Sequence, residues 1–248
     1  MKNLIFISLS LSLALQSVHG QEGQGRLPEG FVYLLDVAPS ISQVMSYATS
    51  ENFTGQVVPG YANPSCILTR QAATALKNVE GYLNQNGYGL VLFDCYRPER
   101  SVAFFGRWAA APPSREDRTF YFPEVDKKDL IKKGYIAARS SHSRGSTVDV
   151  GLRDLKADGE VKSKIARCDQ SLRQPLIGTQ LNMGTTFDCF SHRSATYSSE
   201  TPIIAQHHRK ILLRAMNKYG FSNYAAEWWH FTLQAEPFKS TYFDFVIE

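Results

Sequence analysis

The sequence predicts an α+β fold in one domain. Three segments have helical periodicity, and three shorter segments have the β-branched and aromatic composition of strands. A chain of 248 residues suits one or two domains, and we interpret it as one. With 43% hydrophobic residues it has enough apolar side chains to bury a core.

The helical segments are Thr69–Leu83, Arg100–Ala111 and Pro202–Tyr219. The first and third carry apolar residues at turn spacing, and Gly87 and Gly220 lie just beyond their ends. Two consecutive prolines stop the second segment. We therefore expect three core helices.

The strand segments are Leu90–Phe93, Thr147–Leu152 and Trp228–Leu233. The first is a short apolar run after glycine punctuation, which is typical of a buried strand. The other two combine β-branched and aromatic residues. Each of the three lies beside a group of polar residues that could form a site.

The amino terminus has the pattern of a secretory signal peptide. One lysine precedes an apolar run from Leu4 to Leu15, and Gly20 offers a small residue for cleavage before Gln21. The run is shorter than the ~20 residues that cross a membrane as a helix. We expect residues 1–20 to be removed and residues 21–248 to be periplasmic or secreted, without a stable membrane anchor. An uncleaved anchor is the alternative.

The net charge of +4 and the mixing of acidic with basic residues give no basic stripe, which argues against a nucleic-acid partner.

The chain has four cysteines. Export permits disulfides, and four cysteines allow three pairings. We favour Cys66 with Cys95, at the edges of predicted core elements, and Cys168 with Cys189, which would close the loop between them. Zinc binding by cysteines competes, but no close Cys-x-x-Cys pair is present.

Two histidines and an aspartate form a candidate zinc set. A catalytic zinc ion takes three protein ligands and leaves its fourth position to water, and His142, Asp149 and His230 fit that count. The first two are seven residues apart, so on a straight strand they would face opposite ways. A break at Arg144-Gly145-Ser146 would fold His142 back beside Asp149. Taken alone, each histidine is more typical of a hydrogen-bonded core residue.

Glu227 lies at the head of the segment that contains His230. It would sit near the metal without binding it, which suits a general base that takes a proton from the attacking water. The sequence therefore predicts metal-assisted hydrolysis.

These residues resemble the zinc D-alanyl-D-alanine dipeptidases, the VanX-type members of the LAS (M15) metallopeptidases, which also include D,D-carboxypeptidases and hedgehog domains. The resemblance covers nearly everything after the leader. The matching motifs are Ser140-x-His142-x-x-Gly145-x-x-x-Asp149, Glu227-x-Trp229-His230, Tyr47, Glu51–Gly55, Gly87–Leu90, Asp94–Pro98, Met183–Thr185, Phe187-Asp188 and Tyr242–Phe245.

The resemblance implies an antiparallel sheet that holds one zinc ion per chain, with helices packed on one side. It also implies hydrolysis of D-Ala-D-Ala to two D-alanines. Arg97 would stabilise the oxyanion of the tetrahedral intermediate. A structural ion pair of Arg97 with Asp94 or Glu99 is the alternative.

The same resemblance assigns the substrate contacts. Asp188 would receive the free amino terminus of the dipeptide with help from Tyr47, while Ser140 and Ser141 would hydrogen-bond its backbone or carboxylate. Phe105 would lie near the pocket, although an aromatic residue on a helix is more often part of the core.

The chain departs from shorter dipeptidases by an apparent insertion around residues 165–180, which could act as a lid and alter selectivity. Two other functions therefore stay open. A D,D-carboxypeptidase or related peptidoglycan peptidase would use the same zinc site on a longer peptide in an open cleft. A non-catalytic, zinc-stabilised binding module would need neither Glu227 nor Arg97.

Overall fold

The structure is a computed structural model that describes residues 27–114, 119–157, 167–169 and 180–248. The predicted signal peptide lies outside the described residues, as does most of the predicted insertion. The helices and strands are β1 (Phe31–Tyr33), α1 (Leu34–Val37), β2 (Ser42–Gln43), β3 (Ile67–Thr69), α2 (Arg70–Asn84), β4 (Tyr88–Asp94), α3 (Glu99–Ala110), β5 (Thr147–Asp154), α4 (Ile203–Lys218), β6 (Phe221–Asn223) and β7 (His230–Leu233).

The central sheet has the strand order β2-β4-β5-β7-β6. Its β4–β5, β5–β7 and β6–β7 pairs are antiparallel, and the short edge strand β2 runs parallel to β4. A separate antiparallel pair is formed by β1 and β3. The predicted α+β fold is confirmed, with one parallel pairing added at the edge of the sheet.

The predicted helices correspond to α2, α3 and α4, and their ends have local causes. Thr69 is the N-cap of α2, because its hydroxyl accepts a hydrogen bond from the amide of Ala72 at 3.4 Å. Pro98 and Pro202 directly precede α3 and α4. Helix α2 packs against β4 and α4, and α4 also packs against β5 and β6. Among the described residues, no helix is long and apolar enough to cross a membrane.

Strand β5 separates the core from the site by simple alternation. Val148, Val150 and Leu152 are fully buried. Asp149 and Gly151 alternate with them and therefore point to the other face. A side chain at Gly151 would contact the ring of Phe93, so this second face is also tightly packed. Asp149 is thus the buried residue of β5 that carries a charge, and it lies on the face opposite Val148, Val150 and Leu152.

Strand β7 begins at His230, two residues later than the segment Trp228–Leu233 predicts. The backbone forms a turn before the strand, in which the amide of Glu227 donates to the carbonyl of Tyr224 at 2.9 Å. The Asn223 side chain donates to the carbonyls of Glu227 and His230 at 2.9 and 3.0 Å. The amide of Trp228 donates to the carbonyl of Ser194 at 2.9 Å, so it is not available for pairing in the sheet.

The predicted break before β5 is a 3₁₀ turn, Ser141–Arg144, that ends at Gly145. Gly145 has φ +79°, and a Cβ atom there would collide with the ring of Phe31. Glycine is therefore required both by the left-handed backbone and by the space available. The turn reverses the chain so that His142 lies beside β5.

Candidate metal centre and substrate pocket

Strand pairing brings three polar side chains into one row across the sheet. Asp149 on β5 is the cross-strand partner of His230 on β7, so the two side chains share a face. On the other side of β5, a β-bulge at Phe93 places Asp94 opposite Asp149. Without the bulge, the β4 register would pair Asp94 with Val148. The bulge thus adds a second carboxylate behind the site.

His142 joins this row from the turn that precedes β5. Its Nδ1 lies 2.6 Å from the carbonyl oxygen of Cys95 and 3.5 Å from Oδ2 of Asp94. Donation from Nδ1 to the carbonyl leaves the lone pair of Nε2 directed toward Asp149 and His230. A ring nitrogen fixed in this way is the usual arrangement behind a metal-binding histidine.

The three candidate ligand atoms form a nearly equilateral triangle. Nε2 of His142 lies 3.3 Å from Oδ1 of Asp149 and 3.3 Å from Nδ1 of His230. Nδ1 of His230 lies 3.1 Å from the same Asp149 oxygen. Ligand atoms that bind a tetrahedral zinc ion at ~2.0–2.2 Å lie about 3.3 Å from one another. Among the described residues, these three side chains are the group that could hold a metal ion.

Charge balance also fits a cation at this position. Burial opposes ionisation of Asp149, but its interactions with His142 and His230 hold its pKa below the usual range. The site therefore offers one carboxylate and two imidazoles. We call these three residues the metal side of the pocket.

Glu227 lies beside the metal side without joining it. Its Oε2 is 3.6 Å from Nδ1 of His230, and it lines the same pocket. Burial raises the pKa of Glu227 to about 7. A carboxyl group with a pKa near neutrality can both accept and release a proton at physiological pH.

Arg97 is held between carboxylates and aromatic rings. Its Nε donates to Oδ2 of Asp94 at 2.8 Å, and its Nη2 lies 3.3 Å from Oδ2 of Asp149. The guanidinium carbon is 5.3 Å from the ring centroid of Tyr47 and 5.4 Å from that of Phe105. The ion pair with Asp94 that the sequence offered as an alternative role is therefore present. This ion pair fixes the guanidinium inside the pocket. It is therefore compatible with the predicted role of Arg97 in stabilising the oxyanion.

Asp188 also lines the pocket. The hydroxyl of Tyr47 donates to its Oδ2 at 2.8 Å, and both side chains are buried. Burial raises the pKa of Asp188 well above its usual value, and the negative charge of Asp149 adds to this effect. Its backbone has φ +58°, alone among the described residues other than glycine. Such a conformation in a site-lining residue is characteristic of functional positions. We call Tyr47 and Asp188 the substrate side.

Tyr47 and Asp188 line one cavity of about 310 Å³ together with Asp149 and His230 of the metal side. This volume is at the small end of ligand pockets. Ser140, Ser141 and Phe105 also line the cavity. The hydroxyl of Ser140 accepts a hydrogen bond from the amide of His142 at 3.3 Å, so Ser140 caps the metal-side turn. Ser141 Oγ lies 3.4 Å from Nε2 of His230. Phe105 is part of the core and also a wall of the pocket, since it packs on Arg97 and Tyr47.

The structure adds functional neighbours that the sequence does not identify. Asp94 is fully buried and accepts a hydrogen bond from the hydroxyl of Tyr61 at 2.7 Å. The sequence offers Asp94 only as an ion-pair partner of Arg97; its place behind His142 depends on the bulge. Arg139 is exposed, lines the pocket and stacks on the ring of Tyr242. Its position directly before Ser140 is the signal that could have identified it.

The structure contains both favoured disulfides, Cys66–Cys95 and Cys168–Cys189. None of the four cysteines is free. Zinc binding by cysteines, the competing interpretation, is therefore wrong.

The two consecutive tryptophans have different positions. Trp229 lines the pocket, while Trp228 is buried and donates from Nε1 to the hydroxyl of Thr185 at 2.8 Å.

Comparison with known proteins identifies the family of this chain. A family profile described as "Peptidase_M15: D-ala-D-ala dipeptidase" matches residues 28–163 and 158–248. A D-alanyl-D-alanine dipeptidase of Enterococcus faecalis is 35% identical over 221 residues, covering 89% of this chain and 100% of the relative. One from Streptomyces coelicolor is 34% identical over 217 residues, covering 88% and 98%. One from Escherichia coli is 30% identical over 203 residues, covering 81% and 84%.

The match spans both sides of the pocket, from the segment before Tyr47 to the strand that carries His230. It includes the residues that form the candidate metal site. The chain therefore belongs to the peptidase M15 family of D-Ala-D-Ala dipeptidases, and it is a peptidase.

Proposed function

We propose that this protein is an exported, zinc-dependent dipeptidase that hydrolyses D-Ala-D-Ala to two D-alanines. The observation that carries the proposal is the placement of Asp188 in the same small cavity as Asp149 and His230, two of the three candidate metal ligands. A carboxylate in that cavity would bind the free ammonium of a dipeptide. The names of the relatives support the same substrate.

The substrate side favours a dipeptide over a longer peptide. Asp188 and Tyr47 are buried, so a chain extended beyond the amino terminus would bring an uncharged amide against a buried carboxylate. A site built around a charged group strongly rejects analogues that lack it. A carboxypeptidase would have no need of a buried acid at this position.

Each residue has a defined task in the reaction. When bound, zinc supplies Lewis-acid chemistry, which polarises the scissile carbonyl and makes water a stronger nucleophile at neutral pH. Glu227 takes a proton from the attacking water and gives it to the leaving amine. Arg97 donates hydrogen bonds to the negative charge that develops on the carbonyl oxygen. Tyr47, Asp188 and the hydroxyl of Ser141 bind and orient the substrate.

The test is hydrolysis of three substrates by purified protein, with and without a chelator, followed by addition of zinc. The substrates are D-Ala-D-Ala, L-Ala-L-Ala and a muramyl pentapeptide. Release of D-alanine from the first alone, lost on chelation and restored by zinc, supports the proposal. Cleavage of the pentapeptide would instead indicate a D,D-carboxypeptidase. Inactivity on all three with stoichiometric zinc bound would favour the binding module.

Export rests on the leader pattern and on the disulfides, which persist in oxidising compartments. We expect protein recovered from the periplasm or culture medium to begin at Gln21. An uncleaved chain that stays with the membrane fraction would contradict export as a free protein.

A further inference from the structure

Two disulfides lie directly beside the two sides of the pocket. Cys66–Cys95, the metal-side disulfide, joins the end of β4 to the start of β3. Cys168–Cys189, the substrate-side disulfide, ends at the residue that follows Asp188. All four sulfur-bearing residues are buried. Their positions suggest tasks beyond general stabilisation.

The metal-side disulfide fixes the carbonyl group that orients His142. That carbonyl belongs to Cys95 and lies 2.6 Å from Nδ1 of His142. Next to it, the amide of Tyr96 donates to the carbonyl of Ile67 at 2.9 Å. The Cys95 segment is therefore attached to the Cys66 segment at two adjacent points, one covalent and one hydrogen-bonded. A shift of this carbonyl would turn the imidazole and move its ligand atom.

The substrate-side disulfide fixes the short segment that carries Asp188. The amide of Thr186 donates to the carbonyl of Cys168 at 3.0 Å, and the sulfur of Cys189 is bonded to the same residue. Asp188 lies between these two attachments with φ +58°. A backbone in this region persists only where its surroundings hold it. Release of one attachment would let Asp188 relax away from the hydroxyl of Tyr47.

We infer that the two disulfides are separate positioning devices, one for the metal ligand His142 and one for the substrate-binding carboxylate Asp188. The inference rests on the proposed function for the identity of the substrate. The inference predicts that removal of each disulfide impairs a different function of the pocket, which general stabilisation of the fold does not predict. If a disulfide only stabilised the fold, its removal would lower the melting temperature without a selective effect on zinc binding or on substrate binding.

The experiment compares two double variants of the full chain, C66A/C95A and C168A/C189A. Each serves as the matched control for the other, because each removes one buried disulfide and adds no polar group. Three quantities are measured for both: zinc affinity by competition with a chelator, kcat and KM for D-Ala-D-Ala at saturating zinc, and melting temperature.

The two variants are expected to change different quantities. C66A/C95A should bind zinc about 10- to 100-fold more weakly, as for loss of groups that orient a metal ligand, with KM unchanged. C168A/C189A should keep the zinc affinity and raise KM by about 10-fold, equivalent to the loss of about 1.4 kcal/mol of binding. Parallel changes in zinc affinity and KM in both variants, in proportion to the melting temperature, would overturn the inference.

Two measures keep the comparison decisive. If C66A/C95A does not fold, C66A/C95V restores part of the lost volume and is measured instead. Failure of both to fold would assign the metal-side disulfide to the fold alone and overturn its positioning role. Zinc affinity is measured without substrate. A native protein that binds zinc but does not hydrolyse D-Ala-D-Ala would therefore contradict the proposed function and still test the metal-side half of the inference.

Discussion

The two sides of the pocket are built in different ways. On the metal side, Asp149 and His230 are paired residues of neighbouring strands, so the sheet register alone brings them together. On the substrate side, Tyr47 comes from a 3₁₀ turn and Asp188 from a loop 141 residues away in sequence. The comparison shows that sheet register places two of the three metal-side residues, whereas a side-chain hydrogen bond between a turn and a loop sets the substrate geometry. Substitutions should therefore separate catalysis from substrate binding.

The largest effect on hydrolysis is expected for Glu227→Gln. Glutamine has the same size but cannot take a proton, so kcat should fall by about 1,000-fold, while KM and zinc content stay unchanged. Steady-state kinetics and metal analysis measure these quantities. Glu200→Gln is the control, because it makes the same change in an exposed ion pair with His192. A native-like kcat in Glu227→Gln would rule out Glu227 as the general base.

Arg97→Lys should have the second largest effect. Lysine keeps the positive charge but cannot reach Asp94 and the substrate oxygen together, so kcat should fall by about 100-fold. Arg100→Lys is the matched control, since Arg100 pairs with Asp244 on the surface. Unchanged kcat and zinc affinity in Arg97→Lys would mean that the Arg97–Asp94 ion pair is only structural.

Asp188→Asn tests the substrate side in isolation. Asparagine adopts a left-handed backbone as readily as aspartate, so the loop should keep its shape. Loss of the negative charge should raise KM for D-Ala-D-Ala by about 10- to 100-fold and change kcat little. N-acetyl-D-Ala-D-Ala provides the comparison substrate, because it lacks the ammonium group. The variant should discriminate between the two substrates less than the native protein; equal discrimination would show that the amino terminus binds elsewhere.

The same difference explains how far the sequence could predict the site. His142, Asp149 and His230 were identifiable because their residue types fit zinc and a glycine-containing break separates the first two. Helices α2 and α4 were identifiable from their periodicity and terminal glycines. In contrast, nothing in the local sequence around Asp188 indicates that Tyr47 will donate to it. That assignment came from the family resemblance alone.

The sequence pattern of a single segment also gave wrong predictions where backbone hydrogen bonds, and not residue composition, determine the local structure. Trp228 has strand composition, but hydrogen bonds from Asn223 keep the preceding backbone in a turn. The β-bulge at Phe93 is a second example, since one extra residue moves Asp94 into the site without any change in composition. Both features depend on pairing between distant segments, which periodicity along one segment does not report.

The finest test of the comparison uses one chemical change on both sides of the pocket. Tyr61 and Tyr47 each donate a hydrogen bond from a buried hydroxyl to a buried carboxylate, at 2.7 Å to Asp94 and at 2.8 Å to Asp188. Each phenylalanine variant leaves that carboxylate with one donor fewer, and we expect an effect of about three- to tenfold. Tyr61→Phe should lower kcat, because Asp94 holds Arg97, whereas Tyr47→Phe should raise KM. The two variants control for each other in size and burial. If both changed the same kinetic parameter, the two sides would act as one unit, and the separation drawn from their construction would fail.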